Sequence, residues 1–258
     1  MASPSSEPPR EWDAASYHQV SVPHQGWGAE ILDRLALRGD ETVLDLGCGT
    51  GRVSAQLLER LGPGGHVIGI DGSAAMVDEA QRQLGGPRAT FRQADLLELT
   101  VDPPADAAVS SATFHWIADH DTLFARVRAA LKPGAPFVAQ CGGRGNIASV
   151  VAVVRTVSAQ APFAEHFAGW PGPWNYAGPE ETAERLERAG FAVERCWLQE
   201  SPQRPQPLRE FLQTVSLGSH LDRLPAALHD PFLDAVIAGL GPDPVHDYVR
   251  LNLVATAR

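Results

Sequence analysis

The apolar run Thr42-Val43-Leu44-Asp45-Leu46 breaks into glycines at every second position, Gly47, Gly49 and Gly51. A short run ending in this way reads as a buried parallel strand that turns sharply at its carboxyl end. Glycines in the turn let the chain bend and let a ligand approach the backbone without meeting Cβ atoms. The spacing differs from the G-x-G-x-x-G of dinucleotide-binding turns, and no Lys-Ser/Thr pair follows, which excludes a P-loop. A chain carrying this turn is expected to be an α/β protein.

The segments that follow extend the pattern. Arg52 to Leu61 reads as a helix stopped by Gly62-Pro63-Gly64-Gly65, and His66 to Asp71 as a second strand. Ser73 is placed to N-cap a helix running to Leu84, ended by Gly85-Gly86-Pro87. Ala89 to Ala94 is a third strand and Asp106 to Ala112 a fourth. Asp119 to Leu131 is a helix stopped by Lys132-Pro133-Gly134, and Pro136 to Cys141 is a fifth strand. Strand and helix thus alternate about every 25 residues, which implies βαβ units in a doubly wound, mostly parallel sheet. Glu180 to Ala189 adds a helix, Phe191 to Leu198 a sixth strand and His246 to Thr256 a seventh. Upstream, Glu11 to Val20 and Gly26 to Leu37 read as helices, the latter with Ile31, Leu32, Leu35 and Ala36 on one face.

The expected organisation is a disordered tail over 1–10 and a cofactor-binding half over 11–141. The rest of the sheet follows over 142–258. The segments 142–178 and 200–245, rich in Pro, Gly and aromatic residues, are expected to cap the carboxyl edge of the sheet. With 44% hydrophobic residues and a net charge of −10, the chain is globular and acidic. It has no Lys/Arg run, which argues against a nucleic-acid or anionic-membrane partner. Cys48, Cys141 and Cys196 form neither a disulfide framework nor a CxxC site, and the histidines do not cluster, so no metal is expected. The polar start and the absence of a long apolar stretch fit a cytoplasmic protein, and no protein partner is implied.

Three acids fall at the carboxyl ends of successive strands, Asp45, Asp71 and Asp95, where α/β proteins bind ligands. Together, Asp45-Leu46-Gly47-Cys48-Gly49-Thr50-Gly51, Gly69-Ile70-Asp71-Gly72-Ser73 and Ala94-Asp95-Leu96 resemble the binding motifs of class I S-adenosylmethionine-dependent methyltransferases. Within that superfamily the chain is similar to the trans-aconitate methyltransferase group. The likeness lies in Trp12-Asp13 with Tyr17, Phe114-His115-Trp116-Ile117-Ala118-Asp119-His120 and Leu131-Lys132-Pro133-Gly134. Gln140 with Asn146, and Tyr248-Val249-Arg250-Leu251, extend it.

The resemblance implies S-adenosylmethionine as cofactor and assigns roles. Gly47, Gly49 and Gly51 pass under its methionyl part, and Ser111 lines that end. Asp71 holds the ribose, with Gly72 and Ser73 in the turn beside it. Met76 lies against the adenine, or is plain core; Ala94, Asp95 and Leu96 meet the adenine edge. Tyr17 reaches the methionine carboxylate, or packs an N-terminal helix. Asp102-Pro103-Pro104 precedes the fourth strand, so it is not the Asn/Asp-Pro-Pro-aromatic run of enzymes that methylate nucleic-acid amines. A small-molecule substrate is expected. His115 is a base, a hydrogen-bond donor or a core histidine. Trp116 walls the substrate site or packs inside, Asn146 faces substrate, and Trp170 and Trp174 form an apolar lid or a satellite core.

A carboxylate acceptor needs no base, whereas a phenol, alcohol or acidic carbon does. Carboxylate O-methylation is the expectation from the group, with base-assisted O- or C-methylation of a secondary metabolite as the alternative. The leftover segments hold few cations, Arg144, Arg155, Arg204, Arg209 and Arg223, so a hydrophobic acid fits as well as a polyanionic one. A dehydrogenase leaves Asp95 unexplained, and a non-catalytic cofactor-binding module keeps the same motifs.

Overall fold

The structure, a computed structural model, describes residues 10–12 and 25–258. Within them the chain runs α1 (Gln25–Leu32), β1 (Thr42–Leu46), α2 (Arg52–Arg60), β2 (His66–Asp71), α3 (Ala74–Leu84), β3 (Ala89–Gln93), β4 (Ala107–Ser111), α4 (His120–Ala129) and β5 (Pro136–Gly142). It continues through α5 (Ala148–Ser158), α6 (Pro179–Ala189), β6 (Phe191–Glu200), α7 (Leu208–Phe211), α8 (Gly218–Leu221), α9 (His229–Leu240) and β7 (Val249–Ala257). The strands form one seven-stranded sheet in the order β3-β2-β1-β4-β5-β7-β6. β1 to β5 are parallel, while β7 is antiparallel to both β5 and β6.

Side-chain alternation builds two cores, one on each face of the sheet. Leu44 and Leu46 point to the face covered by α4 and α6, where Phe114, Phe124, Phe137 and Phe191 are fully buried. Val43 points to the opposite face with Val67, Val109 and Val138, under Ile31, Leu32 and Leu57 of α1 and α2. Each such fully buried side chain contributes about 1.5–3 kcal/mol. Gly51 starts α2 in a left-handed conformation, Ser73 caps α3 and Asp119 caps α4, as the sequence requires.

Three expectations are corrected. α1 stops near Leu32, where the chain tightens into i→i−3 bonds from Arg34 to Ile31 and from Leu35 to Leu32. Glu11 and Trp12 are not helical, and the rest of the expected helix, with Tyr17, lies outside the described residues. Arg10, expected within a disordered tail, is instead anchored by a 2.7 Å ion pair with Asp222; residues 1–9 lie outside the description.

The two leftover segments carry helices between irregular stretches and share a third core. Val150, Val154 and Val157 form one face of α5 and meet Phe232, Leu233 and Val236 of α9, with Phe163, Phe167 and Phe211 beside them. α5 and α9 approach so closely that a Cβ on Gly239 would lie 2.6 Å from Val153. No helix among the described residues is long and apolar enough to cross a membrane.

Candidate active site

The strand order reverses between β1 and β4, and ligands of open α/β sheets bind in the crevice at the carboxyl ends there. Gly47, Gly49 and Gly51 all have positive φ in the turn after β1. A Cβ on Gly47 would collide with Thr113 at 2.1 Å, which closes β1 against β4. A Cβ on Gly49 would meet nothing within 4 Å, so an open groove lies over that residue.

Asp71 ends β2 with its carboxylate facing the turn. It accepts the Gly49 N–H at 2.9 Å and the Ser73 N–H at 3.0 Å, and burial pushes its pKa up. Ala94 N–H donates to the Asp71 carbonyl, and Gln93 donates to Gly72. Asp95 accepts from Leu97 N–H at 2.9 Å and so caps the short turn Leu96–Glu98. Met76 is buried in the first turn of α3. Ser111, at the end of β4, is half-buried, and its carbonyl accepts from the Thr113 hydroxyl. The groove residues thus lie together, with one exception. The Asp45 side chain turns into the protein, where it accepts the Ser54 hydroxyl at 2.6 Å and burial raises its pKa to about 7. It ties β1 to α2 and does not face the groove.

Beyond the end of β4 lies a narrow cleft, enclosing about 40 Å³, between the sheet and the helical cap. Among the described residues it is walled by Trp12, Trp116, Trp174, Tyr176 and Tyr248, with His115, Asn146, Ser216 and Arg250 as further polar members and no aspartate or glutamate. Trp12 meets Trp116 edge-on at 5.3 Å, and Trp174 stacks on Tyr176 at 5.8 Å. Two non-glycine residues with positive φ, Ala112 (58°) and Ile147 (44°), both line this cleft. Strained backbone of this kind concentrates at ligand sites.

The His115 ring lies 5.0 Å from Trp116 and 5.9 Å from Tyr176. Its Nδ1 accepts the Gly142 N–H at 3.3 Å. That bond sets the neutral tautomer, with the proton on Nε2. The Asn146 carbonyl oxygen accepts from Val249 N–H at 2.9 Å, and burial pushes the Tyr176 phenol up, so it stays protonated. Trp170, expected beside the substrate, is not among the lining residues. It stacks on Phe167 at 5.8 Å and meets His220 at 4.9 Å, partly buried against the cap core.

Sequence reading missed Arg250 as a site residue. It is 2% exposed on β7, and its Nε donates to Gln140. The signal was present: Arg250 and Asn252 interrupt an otherwise apolar terminal strand. Glu11 was missed too. It accepts from the Ser73 hydroxyl and from the Ala74 and Ala75 N–H groups, capping α3 from a distant segment, and these bonds lower its pKa. Among the described residues no cluster of His, Cys, Asp and Glu could hold a metal ion.

The comparisons with known proteins agree with this geometry. Residues 43–134 match a family model described as a methyltransferase domain. A trans-aconitate 2-methyltransferase of Methylobacterium nodulans is 31% identical over 73% of this chain and 67% of its own length. One from an Acidovorax species is 29% identical over 90% and 89%. A solved S-adenosylmethionine-dependent methyltransferase of Mesorhizobium loti superposes with a TM-score of 0.56 at 21% identity, covering 90% of this chain and 97% of its own. With the reversal between β1 and β4, the left-handed glycine turn and the acid at the end of β2, these likenesses establish that the chain belongs to the class I S-adenosylmethionine-dependent methyltransferases, near the trans-aconitate methyltransferase group.

Proposed function

We propose that the chain methylates a carboxylate oxygen of a small organic acid. The groove residues fit the methyl donor: left-handed glycines under open space at Gly49, and a half-buried carboxylate, Asp71, at the distance of one strand. When bound, S-adenosylmethionine supplies a sulfonium methyl group, an electrophile already activated. In this reading Asp71 holds the ribose, with Gly72 and Ser73 shaping its turn. Gly47, Gly49 and Gly51 underlie the methionyl part, and Ser111 flanks it. Ala94, Asp95, Leu96 and Met76 surround the adenine, and Tyr17 serves the methionine carboxylate.

One observation carries the choice of acceptor: the cleft offers no base among its described residues. The Nδ1 lone pair of His115 is engaged by the Gly142 N–H, and Tyr176 is held protonated. Aspartate and glutamate are absent from the described lining. Among the described residues nothing is placed to take a proton from an acceptor that must lose one, whereas a carboxylate arrives deprotonated. His115 then acts as an N–H donor that orients the acid, and Trp116 and Trp174 exclude water around it.

Proton counting tests this. Methylation of a carboxylate releases no proton, and methylation of a phenol, alcohol or carbon acid releases one per turnover. A panel of acids and phenols in weakly buffered solution should give turnover to S-adenosylhomocysteine without acidification. One proton per methyl transferred would overturn the reading.

A further inference from the structure

We propose that the cleft is a slot for a flat aromatic acid and that Asn175 fixes its width, an inference that rests on the carboxylate reading above. The two walls of the slot come from separate segments. Trp116 lies in the short turn Phe114–Trp116 after β4, and Trp174 in the irregular stretch that leads into α6. Asn175 staples these segments together. Its backbone N–H donates to the His115 carbonyl at 2.8 Å. Its side-chain Nδ2 donates to the Ile117 carbonyl at 3.1 Å and to the Ala118 carbonyl at 3.0 Å. The bonded groups flank the walls, with Trp174 next to Asn175 and Trp116 between His115 and Ile117. Asn175 is not among the residues that line the cleft, so it is a positioning residue.

The walls themselves are rings. Trp116 and Trp174 lie 6.4 Å apart with their planes at 49°, which makes a wedge. Tyr176 extends the Trp174 wall, stacked on it at 5.8 Å and 11°. A planar ring entering the wedge meets indole faces and edges at the separations of about 4.5–7 Å that aromatic pairs prefer. The enclosed space, about 40 Å³, favours a group one atom layer thick over a puckered or branched one, which would force the walls apart. Arg250 is already engaged within the protein, by Gln140 among others, so discrimination between acids of equal charge falls to the rings. Trans-aconitate, the acid in the relatives' names, has no ring to offer them.

The test pairs trans-cinnamate with the analogue in which cyclohexyl replaces phenyl, so that carboxylate and charge are the same. The saturated ring buries more apolar surface, and hydrophobic transfer alone would favour it. Kd is read by calorimetry on the protein saturated with S-adenosylhomocysteine, and kcat/KM from initial rates. Trans-cinnamate is expected to bind about 3- to 10-fold more tightly than its analogue and to be a better substrate than trans-aconitate. Asn175→Asp keeps the shape of the side chain and removes its donors. It should bring the ratio of the two Kd values close to one and raise KM for trans-cinnamate more than it lowers kcat, with the Kd for S-adenosylmethionine unchanged. Asn175→Ser, with one donor, should recover part of the ratio.

A cyclohexyl acid that binds as tightly as trans-cinnamate, or trans-aconitate as the best acid, would overturn the slot and leave carboxylate methylation standing. Inert acids with methylated phenols would overturn both. A wild-type ratio in Asn175→Asp would show that Asn175 does not set the width. Should Asn175→Asp fail to fold, Trp174→Leu, an apolar wall without a ring, decides: an unchanged ratio there would remove Trp174 from the slot.

Discussion

The Glu11 carboxylate accepts the Ser73 hydroxyl at 2.9 Å, across 62 residues of sequence, and so sits over the first turn of α3. A negative charge there offsets the partial positive charge of the helix N-terminus and satisfies N–H groups that a helix leaves unpaired. The neighbouring Trp12 N–H also donates to Ser73, while the Trp12 ring meets Trp116 and Arg10 reaches Asp222 in the cap. Residues 10–12 therefore join the cofactor groove, the cleft and the cap.

Glu11→Gln should loosen this strap. Affinity for S-adenosylmethionine is expected to fall by about 2- to 5-fold, read by calorimetry. The same loss should appear in the wild-type protein as pH falls below the ordinary glutamate range, because the pKa of Glu11 is lowered in the folded state. Equal affinity in the variant would separate the strap from cofactor binding.

Asp71→Asn keeps an oxygen for the Gly49 N–H and removes the charge. If Asp71 holds the ribose diol, cofactor binding should weaken by about 1.5–3 kcal/mol, the range for hydrogen bonds to a charged group. A folded variant with wild-type affinity would count against that assignment.

His115→Gln should retain substantial activity, since glutamine also offers an N–H donor. Between pH 6 and 9 the rate should be nearly flat in both proteins. A base would instead give a loss on the order of 10²–10⁴-fold and a wild-type rate rising through a histidine pKa. Rescue of the variant by raised pH, with cofactor affinity intact, would assign His115 to base catalysis.

Buried groups set opposite pH trends in stability. Burial pushes His220 and His246 down from 6.5 to about 4, so the unfolded chain takes up their protons first. Their contribution is present above about 6.5 and lost as pH falls toward 4. Asp45 runs the other way: raised from 3.8 to about 7, it holds a proton in the folded state, and its contribution is lost as pH rises through that range. Urea unfolding at pH 7.5 and 5.0 should therefore show a smaller loss on acidification in His220→Leu than in wild type, and a larger one in Asp45→Asn. Parallel slopes in all three proteins would exclude these groups as the source.

The sequence by itself determined the sheet and its groove. Thr42 to Leu46 running into Gly47, and Ser73 and Asp119 at their helix starts, are local signals: strand burial, left-handed turns and caps are decided within a few residues. The same locality placed Asp71 and Asp95 at strand ends. Tertiary structure decided the cap and the cleft. Val150, Val154 and Val157 belong to a valine-rich segment with strand propensity, and it is helical because burial against Phe232 and Val236 outweighs that preference. Trp170 and Trp174 are four residues apart and equally aromatic, yet one only packs against the cap core and the other walls the cleft. Arg250 could be seen as a polar residue in an apolar strand. That it faces Trp116 and Tyr176 across a cleft without a described carboxylate depends on β7 folding back between β5 and β6, a contact between segments more than a hundred residues apart.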